Sequence, residues 1–404
     1  MTEREETERS VQMSRTTSLM DEYADKKFIR KKDRRKNPGR TAGRNAVLCL
    51  GLGALLFAGI PVQAAQETYT NTDFVMDTVV SETLYTFGED ITPEIGSLLR
   101  EIEETYLSWT DGDSEVAKIN QAQGKPVRIS ETLAGYLQEI LKLSEDSGGA
   151  FDPTMGKVIR LWDIGGGNAG IPDEGELRSL LAETGYENLI LDGDEAALQS
   201  GSLDLGAVGK GIGCDAVMEF LEGQEDVSGM LTNLGGSSVM VYGEKPDGSP
   251  WRVAVRDPRD DESGYLGALT LKGGEFLSTS GDYEKYFIED GKRYHHILDP
   301  ETGYPAWSGL TSVTVVCGSG LLADGLSTAC FVLGREDALP LLEKYGAEAV
   351  FVDEDHNVYL TDGMKERFEL LKNTYVYFIN ISNYSVFCFI SLRIVLGWVF
   401  WYGT

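Results

Sequence analysis

The chain is poor in the residues that build the commonest metal and redox sites. Among 404 residues there are three histidines (His295, His296 and His356) and five cysteines, and no cysteine pair is spaced C-x-x-C. H-E-x-x-H is absent, so a histidine-rich zinc site is not expected. With Cys49 and Cys388 in apolar terminal segments, Cys214, Cys317 and Cys330 are left for the body, too few for a disulfide framework. No G-x-G-x-x-G follows a strand-like run, and no P-loop is present. No repeat of fixed period appears. Positive charge is also scarce: 36 Lys+Arg stand against 65 Asp+Glu, a net charge of -29. Broad nucleic-acid binding needs a basic face and is not expected. Charged residues are 25% and hydrophobic ones 42% of the chain, ordinary for a globular protein.

The scarce bases are unevenly placed. Residues 1–65 carry 13 of them against 8 acids, a net of +5, which leaves -34 for the remainder. Lys26 to Arg44 holds most of this basic head. An uncharged apolar run, Ala46 to Val62, follows and ends in small residues at Ala64-Ala65. Two readings stay open for residues 46–65: a cleaved signal peptide or an uncleaved signal-anchor helix. Both keep residues 1–45 in the cytoplasm and send the body across the membrane, attached to it or secreted. At the other end, residues 375–404 contain no acid and many aromatics. Val386 to Trp401 has the length to span a membrane, with Arg393 an awkward central charge, or to cover a core.

The body, residues 66–374, mixes helix and strand periods without strict alternation, which reads as α+β. Ile95, Leu98, Leu99 and Ile102 follow helical spacing, as do Leu133, Leu137, Ile140 and Leu141. Asp173 and Glu176 form a capping-box-like start to a third helix, closed by Gly185. Strand-like runs occur at 188–191, 239–242, 251–255, 312–316 and 349–352. Glycine is in excess, 47 residues, and clusters in particular loops. Such loops let a backbone approach a ligand closely.

The loop Leu203-Asp-Leu-Gly-Ala-Val-Gly-Lys-Gly211 leads from a short strand into a helix near Lys210. Free amides at a helix start suit a phosphate, although a tight packing turn uses the same residues. Asp324 and Thr328, four apart near another helix start, put a carboxylate and a hydroxyl on one face. Oxygen donors of this kind suit Mg²⁺ near a phosphate, although an N-cap and a helix hydroxyl look the same in sequence.

Eight segments in order carry a family resemblance. They are Ser108-Trp-Thr-Asp-Gly-Asp-Ser114 through Asn120; Gly148-Gly-Ala-Phe-Asp-Pro-Thr154 through Trp162; Leu203 to Gly211 with Asp215; and Asn233-Leu-Gly-Gly236. Pro250-Trp-Arg-Val253, Thr279-Ser-Gly-Asp-Tyr283, His296-Ile-Leu-Asp-Pro300 with Thr302-Gly303, and Ala323-Asp324 with Ser327-Thr328 complete the set. Together, from about Asp73 to Phe368, they resemble the ApbE-type FAD:protein FMN transferases. The resemblance implies a single large flavin transferase domain of mixed sheets and packed helices. It implies Mg²⁺-assisted cleavage of FAD, with FMN passed to a Thr or Ser of an extracytoplasmic acceptor protein and AMP released. By position it implies Asp324, Thr328, Ser327 and the Ala207 carbonyl as metal ligands. FAD would be held by Met76, Thr110, Ala150, Phe151, Asp152, Asp204, Lys210 and Leu298. Asp77 stands where the family usually has Gly, Thr110 where it often has Tyr, and Ser327 where some relatives have an acid.

An acceptor hydroxyl needs a base near neutral pKa, and His296 fits that need, with Asp282 and His295 as further candidates. Phe151 and Trp162 are candidates to stack on the flavin ring. FAD hydrolysis by water, simple FAD storage and a structural envelope role are the competing readings. The chain has no Ser/Thr-Gly-Ala-Ser/Thr motif, so the acceptor is expected to be another protein.

Overall fold

The computed structural model describes residues 65–109, 112–260 and 264–379. The expected basic head, the apolar run 46–62 and the 386–401 run lie outside these residues. Among the described residues, no helix is long and apolar enough to cross a membrane.

Nine strands form the central sheet. Their order is Glu67–Val75, Thr78–Thr86, Val227–Leu234, Ser238–Gly243, Glu275–Gly281, Leu310–Cys317, Glu348–Asp353, Asn357–Leu360 and Val376–Ile379. Every neighbouring pair is antiparallel except the last, which is parallel. Leu310–Cys317 is buried at every residue because both its faces are covered. On one face Val313, Val315 and Cys317 join the helices, with Leu99, Leu133, Ile212, Leu326 and Phe331. On the other, Val316 and Val350 meet Trp251 and Leu269 of a three-stranded sheet. The alternation of side chains along a strand makes both contacts from one run. Mixed helices and sheets in these layers make the domain α+β, as the sequence pattern implied.

The helices follow their local signals. Ser130 caps Glu131–Asp146 by accepting from the Leu133 amide at 3.1 Å. Leu133, Leu137 and Ile140 are fully buried there, but Leu141 is only half-buried and Leu143 takes the core position instead. Asp173 caps Glu174–Leu181 as expected. That helix ends at Leu181, short of Gly185, which instead adopts φ 134° before a 3₁₀ turn. All five strand-like runs lie in or across observed strands. Cys214, Cys317 and Cys330 are buried free thiols, consistent with the absence of a disulfide framework.

The ordered fold continues past residue 374, where a boundary was expected. Tyr375 is buried and its hydroxyl donates to Asp257 at 2.5 Å, and Val376–Ile379 adds the ninth strand. The β-branched and aromatic composition of that segment, read as a tail signal, here serves an edge strand.

Glu82 is an outlier in the sheet. It is 3% exposed, lies opposite Asn71 on one side and Thr232 on the other, and its Oε1 has no partner. Burial, offset in part by the Asn71 side chain, raises its pKa to about 7. A carboxyl whose folded pKa exceeds its unfolded value weakens the fold as pH rises through that interval. Glu82→Gln is therefore expected to gain stability over the parent between pH 4.5 and about 7, by roughly 2 kcal/mol, with no further gain above. Denaturant unfolding at pH 4.5, 6 and 8 checks this; a pH-independent difference would contradict the assignment.

Candidate functional site

Two helices pack together through their first turns at the centre of the site: Gly209–Glu222, which carries Lys210, and Gly320–Leu333, which carries Asp324. The Asp324 carboxylate is 3% exposed. Its Oδ2 accepts from the Gly211 amide at 2.7 Å and its Oδ1 from the Ser238 hydroxyl at 2.7 Å. The exchange is reciprocal. Asp215, on the Lys210 helix, accepts from the Gly320 and Leu321 amides at 2.6 and 2.8 Å, and from Ser319 Oγ at 3.2 Å. Each helix start is thus capped by a carboxylate from the other. The backbones approach so closely that a Cβ at Gly211 would lie 2.1 Å from the Gly320 oxygen. Glycine is required there for space. Burial raises the Asp215 pKa to about 6 against the pull of its amide partners.

The expected metal donors surround this clamp unequally. Thr328 follows Asp324 by one helical turn and is half-buried, with Oγ1 3.3 Å from Ser280 Oγ. Ala207 is exposed just before the Lys210 helix. Each Asp324 oxygen accepts one hydrogen bond and keeps lone-pair capacity. Asp324, Thr328 and the Ala207 carbonyl are oxygen donors of the kind a hard divalent cation takes. Ser327 does not fit. It is 1% exposed, and its hydroxyl contacts the Asp324 carbonyl at 2.9 Å, Ser280 Oγ at 2.8 Å and Ser278 Oγ at 3.4 Å. It ties the Asp324 helix to the neighbouring strand. Among the described residues no group of three His, Cys, Asp or Glu converges, so any cation site here uses neutral oxygens beside one carboxylate.

The residues expected at FAD fall on four segments: the Met76 turn, the 150–152 loop, the 204–210 segment and the segment at Leu298. Met76 heads a turn in which Met76 and Asp77 both have positive φ, 56° and 53°. That conformation favours Gly, the residue the family usually has at Asp77, and Asp tolerates it better than most. Glu103 Oε2 accepts from the Met76 amide at 2.8 Å, and the Met76 side chain reaches toward Gly209 and Gly213 of the Lys210 helix. Asp152 and Asp204 are joined through their loops: the Asp204 amide donates to the Pro153 carbonyl at 2.9 Å. Burial raises both carboxyl pKa values; Arg160 and Lys285 pull Asp204 down in part. Ala150, half-buried, precedes them; Leu298 is half-buried against Trp162 and Tyr304. Thr110 lies outside the described residues.

The aromatic expectation is corrected. Trp162 is fully buried, donates to the Gly303 carbonyl at 2.7 Å and packs on Tyr294 and Tyr304. Phe151 is 3% exposed in the main core. Neither ring offers a face to a flavin.

His296 follows the Tyr286–Glu289 and Lys292–His295 hairpin. Its Nδ1 lies 3.3 Å from the Lys285 carbonyl, which assigns the proton to Nδ1 and leaves Nε2 as the acceptor. Burial, with His295, Lys285 and Lys210, lowers its pKa to about 4, so the ring is neutral near pH 7. Lys285 and Lys210 thus connect His296 electrostatically to Asp204 and to the Lys210 helix. His295 and Asp282 are occupied elsewhere. His295 Nε2 pairs with the Ala306 carbonyl at 2.9 Å, and Asp282 holds Arg259 through two 2.7 Å bonds. Asp282 is therefore already engaged and not available as a base, and His295 is buried away from solvent. Sequence reasoning missed Ser238, Glu103 and Lys285. All three reach the site from distant strands and turns, and no local spacing marks them.

Asp215→Asn keeps the shape but leaves one of two buried amides unpaired. Denaturant unfolding is expected to show a loss of about 1–3 kcal/mol. An unchanged midpoint would mean the clamp does not hold the helix starts.

The comparisons with known proteins point one way. The ApbE family profile matches residues 76–351. An FAD:protein FMN transferase of Klebsiella pneumoniae is 34% identical over 315 residues, 76% of this chain and 96% of that protein. Another, from Treponema pallidum, is 34% identical and covers 70% of this chain and 82% of its own. The crystal structure of the ApbE protein of Thermotoga maritima superposes with a TM-score of 0.69 at 32% identity, covering 74% of this chain and 99% of that one. The flavinyl transferase ApbE of Pseudomonas stutzeri gives 0.66 at 31% identity, over 75% and 97%. By the extent of these matches the protein belongs to the ApbE family.

Proposed function

We propose that the chain is an FAD:protein FMN transferase. The observation that carries the chemistry is the Gly211–Asp324 clamp, which fastens a cationic, glycine-lined helix start to a carboxylate-bearing helix. Phosphoryl transfer asks mainly for positioning and charge neutralisation. Lys210 makes no ion pair among the described residues and stands in the first turn of its helix, ready for a phosphate oxygen. Asp324, Thr328 and the Ala207 carbonyl would hold Mg²⁺, which when bound neutralises pyrophosphate charge. Met76, Ala150, Asp152, Asp204 and Leu298 line the FAD side, with Thr110 expected beside them. Phe151 supports that loop from the core.

In the transfer, the acceptor Thr or Ser oxygen bonds to the FMN phosphorus while the bond to the AMP oxygen breaks. The hydroxyl proton passes to His296 Nε2, and AMP departs with the bridging oxygen. His296 is neutral over the working range and so begins in the accepting form. The basic head and apolar run that precede the domain support an extracytoplasmic, membrane-attached or exported enzyme whose acceptor is a separate extracytoplasmic protein. Nucleic acid has no place in this reading.

The test mixes the protein with FAD, Mg²⁺ and an acceptor domain and reads the acceptor's mass. A gain of one FMN is expected; free FMN and AMP beside unmodified acceptor would favour hydrolysis instead. Asp324→Ala is expected to lose metal-dependent transfer by two orders of magnitude or more, and full activity would remove it from the metal set. His296→Gln should slow transfer about 10²–10⁴-fold while FAD binding, read by flavin fluorescence, is kept. Because the His296 pKa is near 4, the parent rate should not fall from protonation of this ring until the pH nears 4. A loss centred near pH 6.5 would contradict its environment.

A further inference from the structure

A cavity of about 300 Å³ is lined in part by the strand that ends at His295. Its lining includes Arg259, Lys292, Arg293, His295 and Trp307, and none of the residues expected at FAD or the metal. Three cations meet there on a body whose net charge is -34. Arg259 is neutralised by its two bonds to Asp282. Lys292 and Arg293 are not: neither makes an ion pair among the described residues. Lys292 instead rests 3.2 Å over the Trp307 ring, and Arg293 lies 3.9 Å over Tyr286 and reaches the Asp282 carbonyl at 3.4 Å. Glu354 is the one other acid on the lining.

The wall of the cavity carries an unfinished polar group. His295 is 3% exposed, its Nε2 is held by the Ala306 carbonyl, and its Nδ1 has no hydrogen-bond partner. A buried nitrogen left unpaired costs about 1–3 kcal/mol and in native folds marks a missing partner. The geometry points to a binding site for a small oxyanion, a carboxylate or phosphate group, held by Lys292 and Arg293 against His295. Two unpaired cations supply the charge, Arg293 supplies planar paired donors, and the Trp307 face keeps the Lys292 ammonium in place. A protonated oxygen of the ligand, or a water it carries, would complete His295 Nδ1. The site is separate from the transfer reaction: its lining contains His295, which ends the strand, and not His296, which lies just beyond it. Occupancy would still be felt next door, since the Ala306 residue that holds His295 also donates to the Ile297 carbonyl at 2.9 Å.

The three histidines make the test direct. The full chain, labelled at histidine, gives three ring signals; His296→Gln and His356→Gln identify two and leave that of His295. Inorganic phosphate and, separately, succinate are titrated with chloride holding ionic strength constant. A saturable shift of the His295 ring is expected from phosphate or succinate, the tighter of the two naming the source of the oxyanion. Lys292→Gln with Arg293→Gln should weaken it at least tenfold while thermal unfolding is unchanged. Lys292→Gln alone, on an exposed residue, gives the same direction if the double variant fails to fold. No shift at His295, a shift confined to His296, an equal effect of chloride, or an undiminished affinity in the variants would overturn the site.

Discussion

The Asp324 carboxylate is the constraint on which the site depends. Sealed from solvent, it is held by one amide of the Lys210 helix and one serine of the central sheet. A buried charge with fewer partners would be expensive, and here the partner is the positive end of a helix. The same bond fixes where Lys210 stands relative to Thr328. It explains the glycines at 211 and 320, which exist because two backbones touch. Asp215 closes the arrangement from the other side, so neither helix start can slide without exposing the other's amides.

Around this clamp the protein uses position in place of bulk charge. A strongly acidic body does not attract phosphates from a distance. It can still hold one where a lysine, free amides and a small set of oxygen donors meet. Other acids are held in place by partners: Asp282 is locked on Arg259, and burial raises the Asp152, Asp204 and Asp215 pKa values above the usual carboxylate range. His296 is tuned in the opposite sense by the same physics, with desolvation and nearby lysines stripping its proton.

The hairpin that carries His295 and His296 is where the faces of the domain separate. One side of it packs Phe287 and Tyr294 on buried Trp162. The aromatic residues that look like flavin platforms in sequence are instead the support that keeps this hairpin rigid. Stacked rings under the strand hold His296 in place more firmly than a polar loop would, because cores resist the movement of a side chain.

The amino-acid order alone was enough for much of this. The helix cap at Asp173, the apolar helical spacing and the strand-like runs are local signals, and the elements follow them. The segments around Lys210, Asp324 and His296 stood out in sequence because glycine clusters, a carboxylate–hydroxyl pair and a rare histidine are visible without a fold, although spacing alone did not separate a ligand site from a packing turn or a cap. Other facts had no local trace. Leu143 displaced Leu141 from the core because the neighbouring helix, with Gly325 beneath Leu143, sets which face is inside. Ser327 became a strut and not a ligand because Ser278 and Ser280 arrive from a strand some fifty residues earlier. Residues 375–379 joined the sheet because an edge strand at 357–360 left hydrogen bonds to complete. Composition and spacing determine which chemistry the chain is equipped for. Which of its hydroxyls, rings and histidines remain free to perform it is decided only by contacts between distant segments, since it is those contacts that bury or pair a side chain.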